Sequence, residues 1–140
     1  MSKIKCSYLG DLKSEAKHLQ SGDLIKTDAP LDHCGKGENF SPTDLLATSL
    51  GSCLLTIMAI KARKNGWELE NIYLDIEKIM TKNQERKIAQ INIDIYIPKE
   101  LQKEKVEFIK SASKECPVTR NLSKSLNIQI NWHFQKTLQK

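Results

Sequence analysis

Four residues in this 140-residue chain are best suited to chemistry, the cysteines Cys6, Cys34, Cys53 and Cys116. A thiolate is a nucleophile and a redox centre, and its surroundings decide whether it forms. Cys116 stands between two predicted helices, directly before Pro117, where it can act as N-cap to the second. Free N–H groups and the positive end of the helix dipole favour a thiolate there, and Arg120 is one turn on. A cysteine that merely fits a tight corner is the alternative at this position. Cys53 lies inside an apolar helical stretch and shares its face with Leu46, Leu50, Ile57 and Ile60. That setting reads as core packing, although the small neighbours Ser49, Gly51 and Ser52 let another element come close. Cys6 alternates with Ile4 and Tyr8 and reads as packing on a strand; Cys34 follows His33 in a long loop. No CxxC or HxxxH spacing is present, so no metal is expected. A Gly-rich phosphate loop, a G-x-S-x-G elbow and a paired-carboxylate signature are also missing. What remains is thiol chemistry.

The elements that must position these thiols can be read from periodicity. Ile4, Cys6 and Tyr8 alternate with polar residues, Gly10-Asp11 supplies a turn, and residues 14–19 and 24–27 read as two more strands. A loop from Asp28 to Ser41 follows, and ordered loops of that length usually line a site. The clearest helix comes next. Ser41 is a good N-cap, Pro42 fits the first helical position and Asp44 complements the dipole, while Lys61, Arg63 and Lys64 fill the last turn before Gly66. Its middle, Leu50 to Ile60, is apolar almost all round, which predicts burial on several sides. So short a chain has difficulty covering such a helix, and a second subunit is expected to do so.

Ile72, Leu74 and Ile76 then alternate with polar residues, and Ile91, Ile93, Ile95 and Ile97 form the strongest strand pattern, ended by Pro98. Helical spacing recurs from Glu100 to Glu115, a short helix is predicted from Val118 to Ser125, and Leu126 to Phe134 reads as a last strand with His133 on its outer face. The order strands, helix, strands, helices, strand predicts a single α+β domain over residues 1–140, with helices packed on sheet.

Composition narrows the class. Net charge is +5, but residues 61–140 carry all of the excess, and Glu104, Glu107 and similar residues interrupt it. That pattern marks a solvated face more than a phosphate-tracking stripe, so no nucleic-acid partner is expected. The start, Met1 to Lys5, lacks a signal-peptide core, and the uncharged stretch Leu45 to Ile60 is shorter than the ~20 residues that span a bilayer. A cytoplasmic protein with no membrane association is the expectation. Four cysteines in a reducing compartment are then packing or chemistry, not a static disulfide framework.

The run Phe40-Ser41-Pro42-Thr43-Asp44-Leu45-Leu46-Ala47-Thr48-Ser49-Leu50-Gly51-Ser52-Cys53, with Cys116-Pro117-Val118-Thr119 downstream, resembles the OsmC/Ohr family. That family comprises osmotically inducible protein C and the organic hydroperoxide resistance proteins. Gly10 to Lys13 and the loop Asp28 to Glu38 resemble its OsmC-like branch. The resemblance implies an intertwined homodimer with the long helices at its centre, and a thiol peroxidase active in oxidative stress defence. In that reading Cys53 attacks a hydroperoxide and becomes a sulfenic acid, and Cys116 resolves it to a disulfide. An external dithiol then reduces the disulfide, and no bound cofactor is involved. An apolar pocket wall would favour organic hydroperoxides, at ~25 cal/mol per Å² of alkyl surface buried.

The family's thiolate is supported by an arginine from the N-terminal strands and a glutamate at the start of the long helix. Here no arginine precedes Arg63, so Lys13 is the nearest equivalent by position. Thr43 occupies the glutamate position, leaving Asp44 or Glu38 to substitute. Helix capping favours Cys116 as the thiolate, whereas the resemblance makes Cys53 the attacking group. Two other classes are open: a non-catalytic dimer that binds an apolar small molecule or senses redox state, and a basic module for nucleic acid.

Overall fold

The computed structural model describes residues 1–83 and 85–136. The chain forms two compact units, Met1–Leu46 and Ala47–Lys140. In the first, β1 (Ile4–Gly10), β2 (Lys13–His18) and β3 (Leu24–Asp28) make an antiparallel meander in the order β1-β2-β3. Its register sets Lys13 directly across from Asp28 and Ser14 across from Thr27. The loop beyond β3 contains one turn of 3-10 helix at Leu31–His33 and is closed at its base by the Asp28 N–H, which donates to Phe40 O at 3.1 Å.

Helix α1 (Pro42–Lys64) starts as predicted. The Ser41 N–H donates to Asp44 Oδ2 at 2.9 Å, and the Asp44 N–H donates to Ser41 Oγ at 3.1 Å, a reciprocal cap that satisfies two orphan donors. It ends as predicted too. Gly66 takes a left-handed φ of 82°, and the Trp67 N–H closes back on Ala62 O at 3.2 Å.

The second unit is built on a sheet of order β4-β5-β6, with β4 (Tyr73–Met80) antiparallel to β5 (Ile88–Ile97) and β6 (Asn127–Phe134) parallel to it. A parallel neighbour needs a crossover, and α2 (Lys103–Ser113) with the short α3 (Pro117–Asn121) supplies it. Ile91, Ile93, Ile95 and Ile97 of β5 are fully buried, joined in the core by Leu50, Leu54 and Met58 of α1 and Ile109 of α2. Gly51 lets α1 approach the sheet. A Cβ there would stand 2.3 Å from Ile76 Cδ1 and 3.0 Å from Leu74 Cδ1.

The α+β class and the element order follow the sequence reading, with three differences. Only one stripe of α1 is buried, through Ala47, Leu50, Gly51, Leu54, Met58 and Ala62, while Leu46 and Ile60 on the Cys53 side are exposed. By length and composition alone α1 could cross a membrane, yet that stripe forms the core. Cys6 is exposed on β1 rather than packed, because both neighbours in its alternating set, Ile4 and Tyr8, are exposed as well. Helix α3 stops at Asn121 instead of Ser125: Leu122 turns extended, and the Ser123 hydroxyl takes the Ser125 N–H into a local turn.

Candidate active site

The second unit brings Cys53 and Cys116 together. Cys53 is half-buried on α1, and Cys116 is fully buried at the N-cap of α3, both as free thiols. The Cys53 and Cys116 side chains interact directly. Burial and this contact push the Cys53 thiol up, against a smaller pull from the Val118 N–H. Burial also raises Cys116, but the Cys53 side chain, the Thr119 hydroxyl and the N–H groups of Thr119 and Val118 outweigh it and hold Cys116 below the usual thiol value. The sulfur closes no capping hydrogen bond of its own, so these groups act on it at longer range. Of the two thiols, Cys116 is the one held down and Cys53 the one pushed up.

Local structure fixes the pair. Pro117 at the first helical position turns the chain sharply after Cys116. Just before it, Glu115 forms an ion pair with Lys61, two turns along α1 from Cys53, and the ammonium holds the Glu115 carboxyl below the usual carboxylate range. Thr56 and Ile60, one and two turns beyond Cys53 on the same helix face, line an open recess of about 390 Å³ with Leu55, Ala59, Leu69, Ile72 and Arg63.

In the first unit the structure groups Lys13 with two carboxylates. Lys13 Nζ donates to Asp28 Oδ2 at 2.7 Å and lies 3.1 Å from Glu38 Oε2. The Glu38 N–H also donates to Asp28 Oδ2, at 3.1 Å. Lys13 is held above the usual lysine range, chiefly by Asp28, and the Asp28 carboxyl is held below its usual range, chiefly by Lys13. Of the two residues weighed as the glutamate's substitute, Glu38 meets Lys13, whereas Asp44 closes the cap of α1 with Ser41.

Sequence reasoning missed Asp28 and gave Thr119 no role. The β2–β3 register, centred between Gln20 and Ser21, sets Asp28 opposite Lys13. Cys6 and Cys34 are both exposed in the first unit, away from the thiol pair in sequence and element. Among the described residues, no group of three or more His, Cys, Asp or Glu side chains could hold a metal ion.

The OsmC-like protein family matches residues 35–131, a span that contains both Cys53 and Cys116. The chain belongs to the OsmC-like family. A structure from Psychrobacter arcticus, described as an osmotic stress induced and detoxification response protein, is 39% identical, with a TM-score of 0.86 over 95% of this chain and 96% of that one. An OsmC-like protein from Mycoplasma pneumoniae has a TM-score of 0.79 at 20% identity over 97% and 98% of the two chains. An organic hydroperoxide resistance protein OsmC from Legionella pneumophila has 0.74 at 15% identity over 95% and 96%, and at that identity shares the fold alone. A serine–tRNA ligase from Wigglesworthia glossinidia brevipalpis is 36% identical over 69 residues, which are 49% of this chain and only 16% of that protein. This chain therefore matches a small part of that curated relative's length.

Proposed function

We propose that this OsmC-like protein is a thiol-dependent peroxidase that reduces organic hydroperoxides to alcohols. The contact between the Cys53 and Cys116 side chains carries the reading, since it unites a nucleophile with its resolving partner. Cys116, ionised first, takes the Cys53 proton in an uphill transfer that the attack on the hydroperoxide then draws off. The Cys53 thiolate then attacks the terminal oxygen of the hydroperoxide. The O–O bond breaks, sulfur is oxidised to a sulfenic acid, and the alkoxide leaves and takes up a proton. Cys116 next attacks the sulfenic sulfur, forming the disulfide and releasing water. An external dithiol returns both thiols by exchange, with no bound cofactor. Lys13 supplies the cation of the reaction, with Glu38 as its acidic partner, in a cytoplasmic homodimer. Asp44 serves through the cap of α1 and not as that partner.

Wild-type and Cys53→Ser protein, turned over with cumene hydroperoxide and a dithiol, test the proposal. Equal turnover by the variant would remove Cys53 from the mechanism. One observation favours a second reading. A Cys53 thiol pushed up by burial is mostly protonated at neutral pH, which suits a slow redox sensor as well as an enzyme. A sensor would form the disulfide on oxidation but show no sustained turnover.

A further inference from the structure

The corner between α2 and α3 meets α1 at two places through adjacent residues. Cys116 meets Cys53, and the Glu115 carboxylate lies 2.5 Å from Lys61 Nζ. Cys53 and Lys61 are two turns apart on α1, a rise of roughly 12 Å. Side chains on a helix lean toward its N-terminus, so the long Lys61 stem reaches back toward the level of Cys53.

Backbone bonds shape the corner but do not bring it to α1. The Glu115 N–H donates to Ala112 O at 3.0 Å, the Cys116 N–H to Ser113 O at 3.4 Å and the Arg120 N–H to Cys116 O at 3.3 Å. All three run within the α2–α3 segment. The approach to α1 therefore rests on side chains, the buried Cys116 and the Lys61–Glu115 pair beside it. Lys64 and Arg120 also act on the Glu115 carboxylate, but Lys61 acts most strongly. The Lys61 side chain is 33% exposed and that of Glu115 48% exposed. A pair so open to water adds little to stability, yet it limits where the corner can go.

We propose that Lys61 and Glu115 are positioning residues for the resolving step, holding the corner against α1 while Cys53 is a sulfenic acid; the proposal rests on the peroxidase reading above and deepens it. In that step the Cys116 thiolate attacks the Cys53 sulfenic sulfur. The S–S bond forms, the S–O bond breaks, and hydroxide leaves and becomes water. The sulfurs, in contact when reduced, must close to about 2.05 Å around an added oxygen atom. Closure is thus the step that needs the brace. If the corner swings away, a second hydroperoxide reaches the sulfenic acid and transfers an oxygen, giving a sulfinic acid and a second alcohol.

The test is a single turnover of the full-length protein, with Cys6 and Cys34 replaced by serine, using one equivalent of cumene hydroperoxide. Loss of hydroperoxide reads the first step. Mass spectrometry of the disulfide and of the dimedone-trapped sulfenic acid reads the second. Glu115→Gln and Lys61→Met should each slow disulfide formation about threefold to tenfold, below the loss from a full ångström of misplacement. Hydroperoxide loss should stay within about twofold of wild type, and the dimedone adduct should rise. The double variant should be no slower than the slower single variant. Lys61→Arg, which keeps the cation, should recover most of the rate. Salt at about 1 M, which screens beyond ~3 Å, should slow the resolving step of wild type and leave Glu115→Gln unmoved. With excess hydroperoxide, both neutral variants should collect more sulfinic acid than wild type. A normal disulfide rate in both neutral variants would overturn the proposal while leaving the peroxidase reading intact. Equal slowing of both steps would reduce the pair to a structural contact and overturn it too. Wild-type protein that forms no disulfide with hydroperoxide would overturn the peroxidase reading itself.

Discussion

Cys53 on the long helix and Cys116 at the α3 corner meet as free thiols, and their surroundings push the first up and hold the second down. This polarity has a measurable sign. Cys116→Ala removes a side-chain contact and a neighbouring charge that both push the Cys53 thiol up, while leaving the opposing Val118 N–H in place. In a background lacking the exposed Cys6 and Cys34, the pH midpoint for alkylation of Cys53 by iodoacetamide should move down. Mass spectrometry of the alkylated protein reads the midpoint. A midpoint that stays or rises would show that the contact does not bias the proton.

Packing between α1 and the sheet gives a second prediction. Gly51→Val places a branched side chain against Ile76 and Leu74, where even a Cβ meets Ile76 Cδ1 at 2.3 Å. Overpacking of that kind costs about 1–3 kcal/mol. Urea denaturation should show the loss as a lower midpoint with an unchanged slope.

The Lys13–Asp28 pair gives a pH dependence. The Asp28 carboxyl is depressed below its ordinary 3.8 in the fold. Its contribution to stability is complete above that value and is lost as pH falls through the lower, folded value. Lys13 is raised above its ordinary 10.5, so its part is complete below that value and fades as pH rises through the folded one. The Tm difference between wild type and Asp28→Asn should be largest on the plateau between these limits and shrink in acid. Glu68, Asp94 and Glu115, also depressed by cationic partners, titrate in both proteins and cancel. A Tm difference that persists unchanged below pH 3 would refute the pairing.

Exposed apolar side chains predict association. Ile4, Tyr8, Leu24 and Ile25 in the first unit and Ile60 on α1 are each more than two-fifths exposed. Light scattering on the eluting protein should give twice the chain mass, and Ile60→Glu should shift the population to monomer. A wild-type monomer would sink the homodimer.

Much of this was legible in the sequence because local chemistry and tertiary packing agree. Ser41, Asp44 and Gly66 bound α1 at both ends, and the isoleucines of β5 alternate because one strand face meets the core. Cys116 and Pro117 mark the corner that holds a thiolate for a local reason, the start of a helix. Other features depend on pairing that no local signal carries. Cys6 has the alternation of a packed strand residue but belongs to a sheet whose apolar side chains are exposed in the single chain. Asp28 looks like a polar loop residue before Ala29-Pro30, and only the register across β2 reveals it as the buried counter-ion of Lys13. The end of α3 turned on a serine hydroxyl competing for a backbone N–H, which apolar spacing cannot show.

Cys116 sits inside the crossover that links the parallel strands β5 and β6, while Cys53 lies on the helix that precedes the β4–β5 hairpin. A covalent bond between their sulfurs would tie off a ring containing that entire hairpin together with α2. Closing a ring of this size lowers the entropy of the unfolded chain by roughly 4 kcal/mol in free-energy terms. The oxidised protein would then resist heat better than the reduced one, and its reductant would have to work against the stability of the fold as well as the strength of the sulfur–sulfur bond.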